Sequence, residues 1–350
     1  LSEEKREGAK LVVMGCMAQR YEQELVEALP EADAVIGLDR YPELLGEVDR
    51  LTNWEPITIS GVRRSTMDIL DVVRRPTPST PYAYVKVAEG CDKTCAFCAI
   101  PLIRGKQRSR AEGSIVSEVS DLVSGGVQEV VLVAQDLAAY GRDNDAGSIE
   151  ALVQSVADVE GLRRLRLYYL YPREIRQGLI DLMASHPVIA DYFDLSLQHS
   201  SPTLLRSMRR PGSGEKHLEL IAAIREAAPH AATRSSFIVG YPGETERDHD
   251  ELLRFVEDAQ LDWCGFFAYS EEEGTYAADL DGEVPRGVMS ERLAELRELQ
   301  DAITGARSDE MIGRSVQVLV DAQGVARSAR EAPEIDGIVH VGHDLAVGEF

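Results

Sequence analysis

Residues 91–98 read Cys91-Asp92-Lys93-Thr94-Cys95-Ala96-Phe97-Cys98, shortly after a predicted buried strand at residues 82–87. This loop holds three of the five cysteines of the chain. Three residues separate the first two cysteines, and two residues separate the last two. Thiolates are the ligands that iron–sulfur clusters require. Three cysteines leave one iron of a four-iron cluster without a cysteine, and this open position indicates chemistry rather than scaffolding.

A structural zinc site is the alternative interpretation of the same three cysteines. Zinc in structural sites normally takes four ligands, which come in two separated pairs. The sequence offers no second Cys/His pair at suitable spacing. The spacing alone leaves both metals open, and the predicted fold favours the iron–sulfur cluster.

A strand–helix alternation repeats six times from residue 82 onward. The predicted strands are residues 82–87, 129–134, 165–170, 192–197, 233–239 and 263–269. The predicted helices include residues 115–123, 149–159, 174–183, 215–227 and 246–259. Strands that alternate with helices of this length predict parallel βαβ units. We therefore expect an α/β fold with a partial (β/α)6 barrel, whose functional groups lie at the carboxyl ends of the strands, where the cysteine loop begins.

The segments on either side of the barrel predict two incomplete domains. Residues 1–51 read as the carboxyl-side part of an amino-terminal α/β domain, and residues 52–80 as a linker that ends rich in proline. The barrel and a trailing amphipathic helix at 290–311 occupy residues 81–311. Residues 312–350 read as the start of a small antiparallel β domain, and we expect the chain to be a fragment. The predicted elements of the two flanks are strands at 10–14, 33–37, 315–320 and 337–341 and helices at 18–29 and 41–51.

The composition is that of an ordinary globular protein, with 44% hydrophobic and 28% charged residues among 350. No apolar stretch is long enough to span a bilayer, and the charged start does not resemble a secretory signal. Five cysteines are too few for a disulfide framework, so we expect a reducing, cytoplasmic location. The net charge of −23 disfavours a polyanionic partner and accommodates a basic macromolecule.

The sequence around the cysteines resembles the radical S-adenosylmethionine (SAM) methylthiotransferases. The Cys-x3-Cys-x2-Cys spacing carries Phe97 before its last cysteine, and Leu197-Gln198-His199-Ser200-Ser201 follows the fourth predicted strand. The resemblance covers nearly the whole chain. The matching segments are residues 89–101, 104–105, 108–110, 197–201, 208–210, 237–245, 268–270 and 273–275.

The resemblance implies an enzyme with two [4Fe–4S] clusters. The open iron at Cys91, Cys95 and Cys98 would bind the amino and carboxylate groups of SAM, and one electron would cleave SAM to methionine and a 5′-deoxyadenosyl radical. That radical would abstract hydrogen from the substrate. A second cluster would provide sulfur, and a second SAM would provide methyl. The implied electron donor is a flavodoxin or ferredoxin, and residues 312–350 would begin a TRAM-like substrate-recruiting module.

Two branches of this family differ in substrate. One modifies an adenosine of tRNA, and the other (RimO-type) modifies the β-carbon of an aspartate in ribosomal small-subunit protein twelve. Residues 198–201 and 330–337 resemble the second branch. The acidic balance favours it independently, because ribosomal proteins are basic. Outside the family, a non-catalytic iron–sulfur carrier and a zinc-stabilised adaptor remain alternatives.

Several other residues are candidates for the site, each with a structural alternative. Arg234 could pair with the cofactor carboxylate or form an internal salt bridge, and the turn at Gly240 could approach a ligand or only open a helix. His199 could contact substrate or cofactor, or it could cap a strand end. Tyr168, Tyr169 and Tyr171 are expected mainly to pack in the barrel, with a substrate cavity lined by one of them as the alternative. The predicted cofactor contacts are Phe97, Gln135, Asp136, Gln198, Arg234 and Gly240.

Cys16 has two interpretations, and Cys264 has one. A lone cysteine after a buried strand is usually a small core residue, but residues 14–20 resemble the family segment that carries the last of three second-cluster cysteines. The other two are absent from this sequence. We therefore expect this chain to generate the radical without completing methylthio transfer. Cys264 is expected to be a core residue.

Overall fold

The computed structural model describes residues 6, 8–38, 79–144 and 147–350. These residues fall into two compact units. The first contains residues 8–38 together with Gly90–Asp92 and Ile100–Lys106. The second contains the rest of the described chain, including everything from Gln107 onward. The predicted helix at 41–51 and most of the predicted linker lie outside the described residues.

Among its described residues, the first unit contains one βαβ motif. Strand β1 (Val12–Met14) pairs in parallel with β2 (Ala34–Ile36), and helix α1 (Cys16–Ala28) connects them. The apolar side chains of the two strands bury each other, as their sequence predicts. The carboxylate of Asp33 accepts a hydrogen bond from the Leu11 backbone at 2.8 Å and fixes the entry into β2.

The second unit is built on six parallel strands. Strand β3 (Tyr82–Lys86) is followed by a short antiparallel pair, β4 (Ala88–Glu89) and β5 (Arg108–Ser109). The remaining parallel strands are β6 (Glu129–Val133), β7 (Arg164–Leu167), β8 (Tyr192–Gln198), β9 (Ala232–Val239) and β10 (Trp263–Ala268). They pair in the orders β3–β6–β7 and β8–β9–β10.

Backbone hydrogen bonds next to β7 and β8 join the two groups of three strands. Leu165 donates to Val188 at 2.8 Å, and Leu170 donates to Asp194 at 2.9 Å. The order is therefore β3–β6–β7–β8–β9–β10. The predicted partial barrel of six parallel strands is confirmed, with each predicted strand within a few residues of the observed one.

The helices of the second unit alternate with its strands as the sequence predicts, with two differences. The helix predicted from residue 174 begins at Gln177, because Pro172–Glu174 forms a separate 3-10 turn. A short helix at Pro202–Ser207 was not predicted, although Ser201 caps it and proline occupies its first turn. Thr245 and Asp248 form a capping box. Helix α2 (Ile100–Arg104) belongs to the first unit. The helices described in the second unit are α3 (Glu112–Ser124), α4 (Ile149–Ala157), α5 (Gln177–Ser185), α6 (Pro202–Ser207), α7 (Gly214–Ala227), α8 (Glu246–Ala259) and α9 (Arg286–Asp309).

The tail forms a small antiparallel sheet. Its strands are β11 (Leu319–Ala322), β12 (Val325–Arg327) and β13 (Val339–His340), in that order. The strand predicted at 315–320 thus begins later than expected, and β12 was not predicted. The antiparallel pairing agrees with the expected β domain, and its boundary at residue 312 stays a prediction.

A buried charge network ties the tail to the amino-terminal ends of the barrel strands. Glu129, at the start of β6, is fully buried and lies 2.8 Å from Arg166 and 3.0 Å from Arg327. Arg166 also donates to the Ala329 carbonyl at 2.9 Å. Arg164, 3.6 Å from Glu129, donates to the carbonyls of Arg327 and Ser328. Residues 327–329 therefore lie against the end of the barrel opposite the predicted functional end.

Candidate active site

The second unit holds two cysteines of the loop in a fixed segment, residues 93–99. Within this segment, Ala96 is buried, donates to the Met208 carbonyl at 2.9 Å and accepts from the Ala277 backbone at 2.8 Å. The Cys98 amide donates to the Cys95 carbonyl at 3.1 Å, which closes a turn between these residues. Both cysteines are half-buried. The backbone thus holds two neighbouring thiols in a defined turn.

Phe97 packs beside this turn on a small apolar cluster that contains Met208 and Tyr241. Tyr241 follows β9, so this cluster fastens the cysteine turn to the carboxyl end of the sheet. The contact gives Phe97 a structural role. Its predicted contact with the cofactor stays a prediction.

Cys91 belongs to the first unit, where its backbone is also fixed. Its amide donates to the Gly105 carbonyl at 3.1 Å. The preceding Gly90 has a φ of +81°, and an added Cβ would lie 2.2 Å from the Lys106 carbonyl oxygen. Only glycine fits such an approach between two backbones. Glycine before the first cysteine is therefore required by the turn itself.

The described residues do not gather three His, Cys, Asp or Glu side chains into a cage ready for a metal ion. The chemistry of the donors nevertheless fits an iron–sulfur cluster. Three half-buried thiols come from one loop, and the guanidinium of Arg210 lies 3.4 Å from the Cys95 sulfur. The assignment of Cys91, Cys95 and Cys98 as ligands stays a prediction.

Lys93 begins the segment 93–99 of the second unit and contacts two carboxylates of the same unit. Its ammonium contacts Glu174 and lies 3.4 Å from Asp136, which is almost fully buried. Burial raises the pKa of Asp136 above its ordinary value, although Lys93 opposes the shift. Asp136 follows β6 and Glu174 follows β7, so Lys93 fastens the loop across the carboxyl ends of two strands.

Lys93→Met is expected to loosen this loop. The buried carboxylate of Asp136 would lose its nearest cation, but the Lys93 side chain that provides this cation is about a quarter exposed. The loss of stability should lie between roughly 0–1 kcal/mol for an exposed pair and roughly 3–5 kcal/mol for a fully buried one. Chemical denaturation would measure it. Arg142→Met is the control, because Arg142 contacts the same Glu174 but is more exposed; equal losses for the two variants would contradict the role of Asp136.

Arg210 belongs to the candidate site, although the sequence did not single it out as a site residue. Besides Cys95, it contacts the carbonyl and hydroxyl of Ser196 and lies 4.3 Å from the ring centroid of Tyr171. The only sequence indication was its place in the segment 208–210, directly after the fourth strand and α6. Its partners come from three separate segments, which no local pattern brings together.

Gln135, Asp136 and Gln198 lie at the carboxyl ends of their strands, as predicted. Gln198 ends β8 in the left-handed region, at a φ of +72°, and donates to the Ser196 hydroxyl at 3.1 Å. A non-glycine residue in this region is uncommon and marks a backbone held by its surroundings. The three residues therefore occupy the expected end, and their contact with cofactor stays a prediction.

The sequence of this chain is similar to those of known proteins. The profile of the radical SAM superfamily matches residues 85–256. Ribosomal protein uS12 methylthiotransferase RimO of Moorella thermoacetica is 43% identical over 339 residues, which are 96% of this chain and 77% of that protein. The chain belongs to the RimO family of radical SAM methylthiotransferases. Its counterpart from Kineococcus radiotolerans is 40% identical over 380 residues, with 95% of this chain and 78% of that protein covered.

Solved structures agree with the fold. The cobalamin-dependent SAM radical enzyme OxsB, with aqua-cobalamin bound, superposes with a TM-score of 0.53 at 12% identity. The match covers 83% of this chain and 43% of that one. Family and fold together confirm a radical SAM enzyme over the non-catalytic alternatives. No helix in the described part of the chain is long and apolar enough to cross a membrane.

Arg234 of this RimO-family chain lies in an internal ion pair, the structural alternative left open by the sequence. It stands near the amino-terminal end of β9, 2.9 Å from Asp194 and 3.4 Å from Asp336. Burial alone would lower its pKa, but these carboxylates hold the pKa above the ordinary value. The cofactor contact predicted for Arg234 has no support in this placement.

Gly240 follows β9 with a φ of +82°, and Met289 of α9 packs against it so that an added Cβ would lie 2.2 Å from the Met289 sulfur. Glycine is needed here for the turn and for close helix packing, whatever else approaches it. Gly240→Ala is expected to cost at least about 1–2 kcal/mol from the left-handed backbone alone. Thermal unfolding would show it as a lower midpoint.

The matched control for Gly240→Ala is Gly305→Ala. Gly305 lies inside α9 with nothing near its Cβ position, so alanine there should stabilise by about 1 kcal/mol. Opposite signs for the two substitutions are expected. A Gly240→Ala protein as stable as the parent would contradict the role of the turn.

The remaining candidates of the second unit have structural roles. His199 is fully buried, accepts a hydrogen bond from the Ser201 amide at 3.0 Å and has a pKa lowered to about 3, chiefly by burial. It is therefore a neutral residue at the end of a strand. Tyr168 packs between Tyr84 and Tyr192, and Cys264 packs against the core, as expected.

Cys16 opens α1 in the first unit and is half-buried rather than part of the core. Its sulfur lies 3.2 Å from the guanidinium of Arg104 on α2. Its predicted role as a second-cluster ligand stays a prediction.

Proposed function

We propose that this chain carries the radical-generating part of an enzyme that catalyses SAM-dependent methylthio transfer to the β-carbon of an aspartate in ribosomal protein uS12. The observation that carries the proposal is the cysteine turn at the carboxyl end of a six-stranded barrel, in a chain that is 43% identical to a protein named for that activity. The barrel's task is to position the reacting groups and exclude water.

The cluster would be held by Cys91, Cys95 and Cys98. When bound, a [4Fe–4S] cluster with one open iron supplies the electron that cleaves SAM. The protein supplies the surroundings of that reaction. Lys93 holds residues 93–99 to Asp136 and Glu174. Phe97 holds the same segment to apolar side chains near the carboxyl end of β9.

The charge of the chain supports a basic protein as the substrate. A net charge of −23 repels the phosphates of tRNA over most of the surface and attracts a ribosomal protein. A cytoplasmic location and a flavodoxin or ferredoxin as electron donor are consistent with this reaction. The antiparallel strands β11 to β13 support a TRAM-like domain from residue 312, which would recruit the substrate.

A second cluster does not fit the residues of this sequence. Outside the loop, the chain has only Cys16 and Cys264, and Cys264 packs in the barrel. Cys16 could provide one ligand of three. We therefore propose that this chain cleaves SAM but does not complete methylthio transfer unaided.

Anaerobic reconstitution with iron and sulfide, followed by reduction with dithionite, tests the proposal. We expect bound iron, 5′-deoxyadenosine from SAM and hydrogen exchange or modification on uS12, but none on tRNA, by mass spectrometry. Zinc without iron, or no 5′-deoxyadenosine, would refute the enzyme reaction. A modified tRNA would refute the substrate, and a complete methylthio product from this chain would refute the need for further ligands.

A further inference from the structure

Arg210 is a buried cation fixed on all sides. Only 5% of the residue is exposed. One terminal nitrogen donates to the carbonyl and hydroxyl of Ser196 on β8, and the other lies 3.4 Å from the Cys95 sulfur. The guanidinium plane also lies 4.3 Å from the ring centroid of Tyr171. Such contacts allow the side chain one position.

The charge of Arg210 lacks an acidic partner. In the described part of the chain, no carboxylate lies within ion-pair distance of it, whereas other buried arginines such as Arg166 and Arg292 contact glutamates. An unpaired buried charge is costly, and it normally finds a partner of opposite sign. The group that Arg210 faces is the Cys95 sulfur, which becomes negative when it ligates a metal.

We infer that Arg210 is a positioning residue for the reductive step and raises the reduction potential of the loop's cluster through Cys95. The inference rests on the proposed function, because it requires a cluster at this loop. Hydrogen bonds and positive charge at a ligand sulfur stabilise the reduced state of a cluster, which carries one more electron. The positive charge of Arg210 faces the Cys95 sulfur in both the oxidised and the reduced state of the cluster. It stabilises the reduced state more strongly, because that state is more negative.

Redox titration of the reconstituted full chain, followed by electron paramagnetic resonance, tests this inference. Arg210→Gln should lower the ratio of reduced to oxidised cluster at a fixed potential about tenfold, which is about 59 mV for a one-electron couple. Arg209→Gln is the matched control. The neighbouring Arg209 is exposed and stacks on Tyr276 at 4.0 Å, so its loss should leave the potential unchanged.

Arg210→Lys provides a second variant in case glutamine prevents folding. Lysine keeps the charge but cannot serve Ser196 and Cys95 together as the guanidinium does, so its shift should be smaller and of the same sign. Unchanged potentials in both variants, with a wild-type chain that binds iron and cleaves SAM, would overturn this inference alone. A wild-type chain without an iron–sulfur cluster would overturn the proposed function as well.

Discussion

Cys98→Ala is expected to reduce SAM cleavage to the level of an enzyme-free control. The loop offers three thiols, and a cluster that already has one open iron cannot lose another ligand and remain bound in a reactive form. Iron content should fall in parallel. The measurement is 5′-deoxyadenosine by liquid chromatography after anaerobic reconstitution and reduction, together with bound iron per chain.

The control for this loss is the same substitution at Cys264. That cysteine lies in β10 and packs against the core, away from the loop. Cys264→Ala should therefore keep both iron and cleavage, with at most a modest loss of stability. If Cys98→Ala retained full cleavage, or if Cys264→Ala lost it equally, the assignment of the loop as the cluster site would be wrong.

The barrel strands were predictable because each is a short apolar run between helical segments. The run that begins at Glu129 predicted β6, and residues 192–197 predicted β8. Elements that depend on one tertiary contact were not predictable in this way. Strand β12 has only three residues, Val325–Arg327, and it exists because β11 and β13 lie on either side of it.

The site was predictable in its ligands and less so in its surroundings. The spacing of the cysteines and their place after the first strand are local facts of the sequence. Arg210 reaches Cys95 only because α6 returns the chain to the loop, and Arg234 pairs with Asp336 from the distant tail. Side chains whose partners lie more than a hundred residues away leave no periodic trace, so a cofactor role for Arg234 and an ion pair were equally compatible with the sequence.

The second prediction with a large expected effect concerns the end of the barrel opposite the carboxyl ends of the strands. Glu129 is the common acidic partner of Arg164, Arg166 and Arg327. Burial alone would raise the pKa of Glu129, but these three arginines hold the pKa below its ordinary value. A charged carboxylate at this point offsets the cost of burying several cations, and it thereby fixes the tail to the barrel.

Glu129→Gln is expected to destabilise the protein by about 3–5 kcal/mol, because it leaves buried arginines without their shared anion. Chemical denaturation at neutral pH measures the loss. Glu310→Gln is the control: Glu310 is exposed and lies 2.7 Å from Arg307, so its loss should cost about 0–1 kcal/mol. Equal effects of the two substitutions would contradict the importance of burial.

The pH dependence of the same variant checks the cause. A carboxylate with a lowered pKa in the folded state stabilises above its unfolded pKa and loses this contribution as the pH falls through the folded value. The difference in unfolding free energy between the parent and Glu129→Gln should therefore be full at neutral pH and shrink under acidic conditions. A difference that stayed constant down to the acid-unfolding range would mean that Glu129 acts through its shape rather than its charge.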